Sequence, residues 1–175
     1  MTDSTIMLRP LGRADADVLA VWAEDDRFCQ HAGWTLRSPA AVRNFWVRQV
    51  ETPPADLIRL AVTTDENDLL GYVDLHGDGQ RERELGFLVG PSHRWGQGLG
   101  GRVAEAGLAH GFDELSLDSI WAEAIVANAA SVRILRSLGM RETGRGFVET
   151  FLQAESYYQQ FRLNRDEWNM SRLER

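Results

Sequence analysis

Trp95-Gly96-Gln97-Gly98-Leu99-Gly100-Gly101 decides the reading of this chain, because it stands between a strand pattern, Glu84-Leu85-Gly86-Phe87-Leu88-Val89, and a helix pattern over Gly98–Phe112. Glycines at 96, 98 and 100 let the backbone approach a ligand closely and adopt positive φ. Free amides at the following helix start point outward, and the helix dipole favours an anion there. Strand, glycine-rich turn and helix start together make a cradle for a pyrophosphate. The plainer alternative is a tight turn with no ligand, and the clustering of glycines at a helix start speaks against it.

Two phosphate-binding classes compete for this cradle. Gly96-x-Gly98-x-x-Gly101 satisfies the dinucleotide fingerprint in form, with Glu123 at about the expected distance. That fingerprint normally follows the first strand of a long doubly wound domain. Here three antiparallel-looking strands precede it, less than half the chain follows it, and Glu123 falls inside a strand pattern. No Lys-Ser or Lys-Thr pair follows the glycines, so the nucleoside-triphosphate loop is absent.

Outward from the cradle, the pattern alternates strands and helices. Leu57–Thr63 and Leu69–His76 read as two strands around the turn Asp65-Glu66-Asn67-Asp68, and Glu84–Val89 as the next after Gly77-Asp78-Gly79. Short turns between three successive strands favour antiparallel pairing. Thr5–Leu11 reads as a first strand and Ala14–Ala23 as a helix with Val18, Leu19 and Trp22 on one stripe. Phe28–Leu36 reads as a loop. Ser38-Pro39 starts a helix that Pro53-Pro54 stops. Downstream, Ile120–Val126 reads as an apolar strand, Ala129–Leu138 as a helix closed by Gly139, and Gly146–Phe151 and Ser156–Leu163 as two late strands. The strand–helix–strand segment favours a parallel neighbour reached by a right-handed crossover. The expectation is an α/β (α+β) fold with a mixed, mostly antiparallel sheet of six to seven strands and helices on both faces.

The bulk numbers narrow the function. The 175 residues fit one domain, 1–175, and 43 % apolar with 26 % charged residues is a globular composition. Lys and Arg total 19 against 26 Asp and Glu, a net charge of −7. Nucleic acid is therefore a poor partner, since phosphate-backbone binding needs clustered positive charge. One cysteine, Cys29, allows no intrachain disulfide and fits a reducing compartment. Met1–Pro10 shows no signal-peptide pattern, and no stretch has 18 uninterrupted apolar residues. A cytoplasmic enzyme with no membrane partner is the expectation. Four scattered histidines lack paired ligand spacing, so no metal is expected.

The segment Glu84–Pro91 followed by Trp95-Gly96-Gln97-Gly98-Leu99-Gly100 resembles the acetyl-coenzyme A motif of the GNAT superfamily of N-acetyltransferases, whose usual form is Q/R-x-x-G-x-G/A. Trp95 stands where that form has Gln or Arg, a variant similar to the branch of Rim-type ribosomal-protein N-terminal acetyltransferases. His110-Gly111-Phe112-Asp113-Glu114-Leu115 resembles the helix end of that branch. Asn128-Ala129-Ala130-Ser131 with Leu138-Gly139-Met140 resembles its Asn-x-x-Ser…Gly-Phe segment, and Tyr157-Tyr158…Phe161…Glu167-Trp168 its tail. The resemblance spans Leu69 to Trp168.

The resemblance implies acetyl transfer from acetyl-CoA, as co-substrate, to a primary amine of a peptide N-terminus or a small molecule. It implies that the fourth and fifth strands splay and admit the pantetheine arm between them. Backbone groups of Phe87, Leu88 and Val89 would bond the arm, amides of Trp95, Gly96, Gln97, Gly98, Leu99 and Gly100 would hold the pyrophosphate, and Asn128 would bond the pantetheine from the other side. Asn128 also suits a plain helix cap. A homodimer through late strands is compatible.

Many family members place a tyrosine as the acid for the thiolate where this chain has Leu135. Ser131 is the nearest hydroxyl at a matching position, although backbone nearby can satisfy it equally well. The absent tyrosine leaves open a non-catalytic acyl-CoA-binding sensor or interaction module. For the base, Glu84 shares a face with Gly86 and Leu88 by the two-residue period, while Arg81-Glu82-Arg83-Glu84 also reads as a solvated charge run. Asp74 and His76 are rivals. His31 and Trp34 are expected to border the acceptor, His93 to approach phosphate and His110 to cap a helix.

Overall fold

The computed structural model describes residues 5–35 and 38–173. Leu36, at the end of the expected loop, and the terminal residues of the expected 1–175 domain lie outside the described residues. The chain begins with β1 (Met7–Pro10), α1 (Arg13–Trp22) and α2 (Asp26–Ala32), and continues with α3 (Pro39–Glu51). The helix α2 replaces the loop read over Phe28–Leu36. Its start is fixed by Asp25, whose carboxylate accepts the Phe28 amide at 2.9 Å, and its end by Gly33 in the left-handed region at φ 68. Phe28 and Cys29 are its buried face. Cys29 thus serves as a small core residue.

The meander follows as β2 (Leu57–Thr63), β3 (Leu69–His76) and β4 (Glu82–Val89), antiparallel at each step. A 3₁₀ turn at Ser92–Arg94 leads into α4 (Leu99–Ala109). The single helix expected to Phe112 changes to a π-helical turn over His110–Glu114, so His110 caps α4. Then come β5 (Ser119–Ile125), α5 (Ala129–Ser137), β6 (Arg141–Phe151), β7 (Ala154–Asn164) and α6 (Arg165–Leu173). β6 begins earlier than the reading at Gly146, and α6 was not read at all. Trp168 anchors α6, only 2 % exposed and stacked on Phe112 at 5.7 Å.

One seven-stranded sheet results, in the order β1-β2-β3-β4-β5-β7-β6. Every neighbour pair is antiparallel except β4–β5. Helices cover both faces, as expected from the sequence. On one face α4, α5 and α6 enclose Leu75, Leu85, Leu108, Phe112, Ile120, Phe161 and Leu163. On the other α1, α2 and α3 enclose Leu19, Trp22, Phe28, Trp46, Ala61 and Tyr72. Burial of this apolar area is the main stabilising term. Among the described residues no helix is long and apolar enough to cross a membrane.

The feature that makes a site is the one parallel step. β4 and β5 pair only at Glu82–Ser119, Arg83–Ile120 and Glu84–Trp121. Beyond Glu84 the two strands continue without pairing to each other, so the sheet opens as a fork. Backbone groups of β4 that face β5 from Leu85 onward have no strand partner, and such groups need one.

Candidate active site

The cradle sits at the open end of the fork. Gly96 and Gly98 have φ of 80 and 78, in the region that glycine alone takes freely, and open space surrounds the place of a Cβ at either. Gly98 caps α4 without a side-chain hydrogen bond, which leaves the first amides of the helix for a ligand. Trp95 fixes the turn: its indole N–H donates to the Val89 carbonyl at 2.8 Å. Arg94 ties the turn to β3 by donating to the Leu69 carbonyl at 2.6 Å. Asp25 joins it to α2 by accepting the Ser92 amide at 2.7 Å. Burial works against the Asp25 charge, but the amides of Phe28 and Ser92 outweigh it and hold the carboxyl below its usual range.

Two cavities meet at the fork. A cleft of about 640 Å³ runs along the cradle, bounded by α2, the end of β4, the start of α5 and Phe151-Leu152 at the β6–β7 turn. Arg27, Arg94 and Arg133 lie along it. A second cavity of about 280 Å³ adjoins it on the α2 side of the sheet, with Glu123, Glu149 and Tyr158 in its wall. The cleft is basic and the smaller cavity acidic. Tyr158 donates its hydroxyl to Glu149 at 2.8 Å. Burial, the Glu149 bond and the charges of Glu149 and Glu123 push the phenol up to about 12, so it stays protonated.

The residues fit coenzyme A. Gly96, Gly98 and the α4 amides would seat a pyrophosphate, and the edge of β4 left open by β5 would offer a strand-like partner to an amide-bearing pantetheine arm. Phe87, Leu88, Val89, Trp95, Gly96, Gly98, Leu99, Gly100 and Asn128 all line the cleft. Gln97 does not; its side chain turns outward and donates to the His93 carbonyl at 3.3 Å. Val89 offers less than expected, since its carbonyl already accepts from Trp95. Asn128 caps α5 through Oδ1, which accepts the Ser131 amide at 3.3 Å. Its amide N–H groups remain for a ligand, so the two readings of Asn128 are compatible.

Ser131 lies on both cavities. Leu135 is fully buried in the core and lines neither. Asp74 is held by Arg59 through two bonds of 2.6 Å, and His76 lies 3.1 Å from Asp56; neither reaches a cavity. Trp34, half-buried, packs against Phe28 and Trp46 at 5.0 and 5.7 Å and lines neither cavity. His93 is exposed outside the cleft. His31 lines both cavities.

Glu84 sits at the root of the fork, the last residue of β4 paired with β5, and lines neither cavity. Glu123, two residues further along β5 than its partner Trp121, does. By the two-residue period Glu84 shares a face with Gly86, which lines the smaller cavity, while Glu84 itself stops one step short of it. Its carboxyl is raised above the usual range, first by burial and then by the Glu123 charge, with His76 pulling the other way. A native value above the unfolded one means that Glu84 costs stability once it ionises in the folded protein, and nothing below the ordinary carboxylate range. Glu84→Gln is therefore expected to raise Tm by about 1–3 °C at pH 7–8, with the gain gone at pH 4. A lower Tm than the parent at pH 8 would contradict this account.

A mixed sheet forked at its parallel step, with a glycine cradle at the mouth, is compatible with an N-acyltransferase fold. Comparison with known proteins gives the family: the model described as an acetyltransferase (GNAT) domain matches residues 5–141, and the chain belongs to that family. YnaD of Bacillus subtilis (strain 168), an uncharacterised N-acetyltransferase, is 26 % identical over 111 residues, covering 62 % of this chain and 64 % of its own length. Among solved structures, a GNAT-family acetyltransferase from Bacillus anthracis superposes with a TM-score of 0.77 at 21 % identity, over 94 % of this chain and 98 % of its own. The spermidine N-acetyltransferase from Vibrio cholerae in complex with CoA and spermine does so with 0.76 at 18 %, over 94 % and 98 %. Likeness at that identity speaks to the fold.

Proposed function

We propose that this protein transfers an acetyl group from acetyl-CoA to a primary amine that carries positive charge. The observation that carries this is the fork: an unpaired strand edge beside a pyrophosphate cradle, opening onto an acidic cavity. Arg27 and Arg133 attract the phosphates of the cofactor, and Glu123 and Glu149 attract an ammonium group. The Vibrio cholerae neighbours are named for spermidine and spermine, and a polyamine matches a cavity with two carboxylates in its wall. A peptide N-terminus, which the Rim-type resemblance implies, is the second acceptor class, with one charge to place.

Direct attack needs the amine nitrogen near the thioester carbon, a neutral amine and a proton for the leaving sulfur. Residues 87–88 and Asn128 orient the thioester from opposite sides of the fork. Ser131, on both cavities, is the hydroxyl placed to protonate the sulfur. Glu84 lies behind the site, where the Glu123 charge opposes its ionisation. The exposed Phe147 and Val148 on edge strand β6 are compatible with a homodimer through the late strands.

Acetyl-CoA at about 100 times its Kd is expected to raise stability by roughly 2.7 kcal/mol, read as a thermal shift, whereas NAD gives none. Thiol release is then expected with spermidine or spermine, and at a lower kcat/KM with a peptide bearing a free N-terminus. Stabilisation by NAD in place of acetyl-CoA would overturn the reading. Binding of acetyl-CoA without thiol release from any amine would leave a sensor.

A further inference from the structure

We infer that His31 is the proton acceptor for the incoming amine, a role that rests on the acetyl-transfer reading above. The reacting atoms must meet where the cofactor cleft opens into the acceptor cavity. The residues common to both are His31, Ala32, Phe87, Asn128, Ser131 and Phe151. His31 is the one with a basic nitrogen. Asn128 and Ser131 offer no proton acceptor of comparable strength, and the other three carry no polar side-chain atom.

The local geometry fixes which nitrogen is available. His31 Nδ1 lies 2.8 Å from the Arg27 carbonyl oxygen, one turn back on α2. A carbonyl only accepts, so Nδ1 carries the proton and Nε2 of the neutral ring presents a lone pair. Nε2 has no hydrogen-bond partner among the described residues. Two aromatic edges hold the ring in this orientation: Trp95 at 5.1 Å from the cradle side and Phe151 at 5.6 Å from the β6–β7 turn. The scaffold beneath is stiff, because Asp25 caps α2 and ties it to Ser92 in the turn before the cradle. Opposite lies the β6–β7 turn, where Leu152 and Gln153 have φ of 47 and 68. These two residues form the turn between the paired Phe151 and Ala154, where a tight hairpin takes positive φ, and the turn sets Phe151 beside the ring.

The step balances. The ammonium gives one proton to Nε2, which passes it to water. The freed nitrogen pair forms the C–N bond at the thioester carbon, and the C–S bond breaks with its electrons going to sulfur. The nitrogen's second proton leaves to the sulfur by way of the Ser131 hydroxyl. Ammonium plus thioester thus gives amide, coenzyme A thiol and one proton.

The test is His31→Gln with spermidine as acceptor. Expected is a fall in kcat of about 10²-fold or more, with KM for acetyl-CoA within about twofold. Val21→Ala, exposed on α1 and outside both cavities, is the control and should leave kcat within about twofold of the parent. A His31→Gln variant within about threefold of the parent would overturn the inference. A second readout needs no turnover. Two-bond ¹⁵N correlations of the His31 ring in the free protein should show Nδ1 protonated and Nε2 bare at pH 8. The opposite tautomer sinks the proposal even if acetyl transfer itself is confirmed, and thiol release that fails in the parent sinks only the reading beneath it.

Discussion

Gly71→Ala is expected to lower stability by at least about 3 kcal/mol, a fall in Tm of roughly 6–12 °C for a chain of this size. A Cβ on Gly71 would stand 1.9 Å from the Leu88 carbonyl oxygen, 3.0 Å from its carbon and 3.2 Å from the Val89 Cα. These are backbone atoms of the adjacent strand, so no rotamer change relieves them. Gly71 is paired with Val89 in the β3–β4 ladder, and either that pairing opens or β4 shifts sideways. Since β4 forms one prong of the fork, acetyl-CoA affinity should fall with stability. Gly101→Ala is the control. No atom lies within 4 Å of its Cβ position, it lies in the first turn of α4, and alanine there should be neutral or stabilising by up to about 1 kcal/mol. A Gly71→Ala protein that melts within 2 °C of the parent would contradict the close approach.

Gly71 also shows where sequence reading stops. It stands inside a strand pattern with no turn partner and no motif, so nothing in its neighbours signals that another strand's carbonyl touches it. The cradle glycines were legible because their use is local: spacing, a strand before and a helix after. The meander was legible for the same reason, through its short polar turns. The helices α2 and α6 were missed because tertiary contacts make them. The seven residues of α2 are too few to stand alone, and it forms on the Asp25 cap and the burial of Phe28. The helix α6 buries Trp168 alone. Arg165 pins its start by donating to the Phe112 carbonyl at 2.9 Å. At the site, the period of two gave the face of Glu84 but not the point at which β4 and β5 part. That point is set by how far the parallel ladder runs, and it decides that Glu123 enters the cavity while Glu84 stays behind it. His31 was legible only as a neighbour of the acceptor, since its tautomer depends on a helix that the sequence did not announce.

Gly98→Val is expected to separate binding from folding in the opposite way to Gly71→Ala. Gly98 holds φ of 78 with no atom within 4 Å of a Cβ, so the Cβ itself meets no clash. The cost is conformational, because a β-branched residue is a severe outlier in the left-handed region, at roughly 1–3 kcal/mol. The chain can escape that cost by rotating the turn, and the turn is what aims the first amides of α4. Stability should therefore fall by no more than that amount while KM for acetyl-CoA rises by about 10²-fold, the loss of two or more hydrogen bonds to a charged group. Because the acceptor cavity does not include Gly98, KM for the amine should stay within about threefold of the parent at saturating acetyl-CoA. Isothermal titration with coenzyme A gives the first number directly. Unchanged affinity for coenzyme A would mean that the pyrophosphate is not held by this turn. The fork would then remain as a feature of the fold, but the assignment of the cradle would be lost.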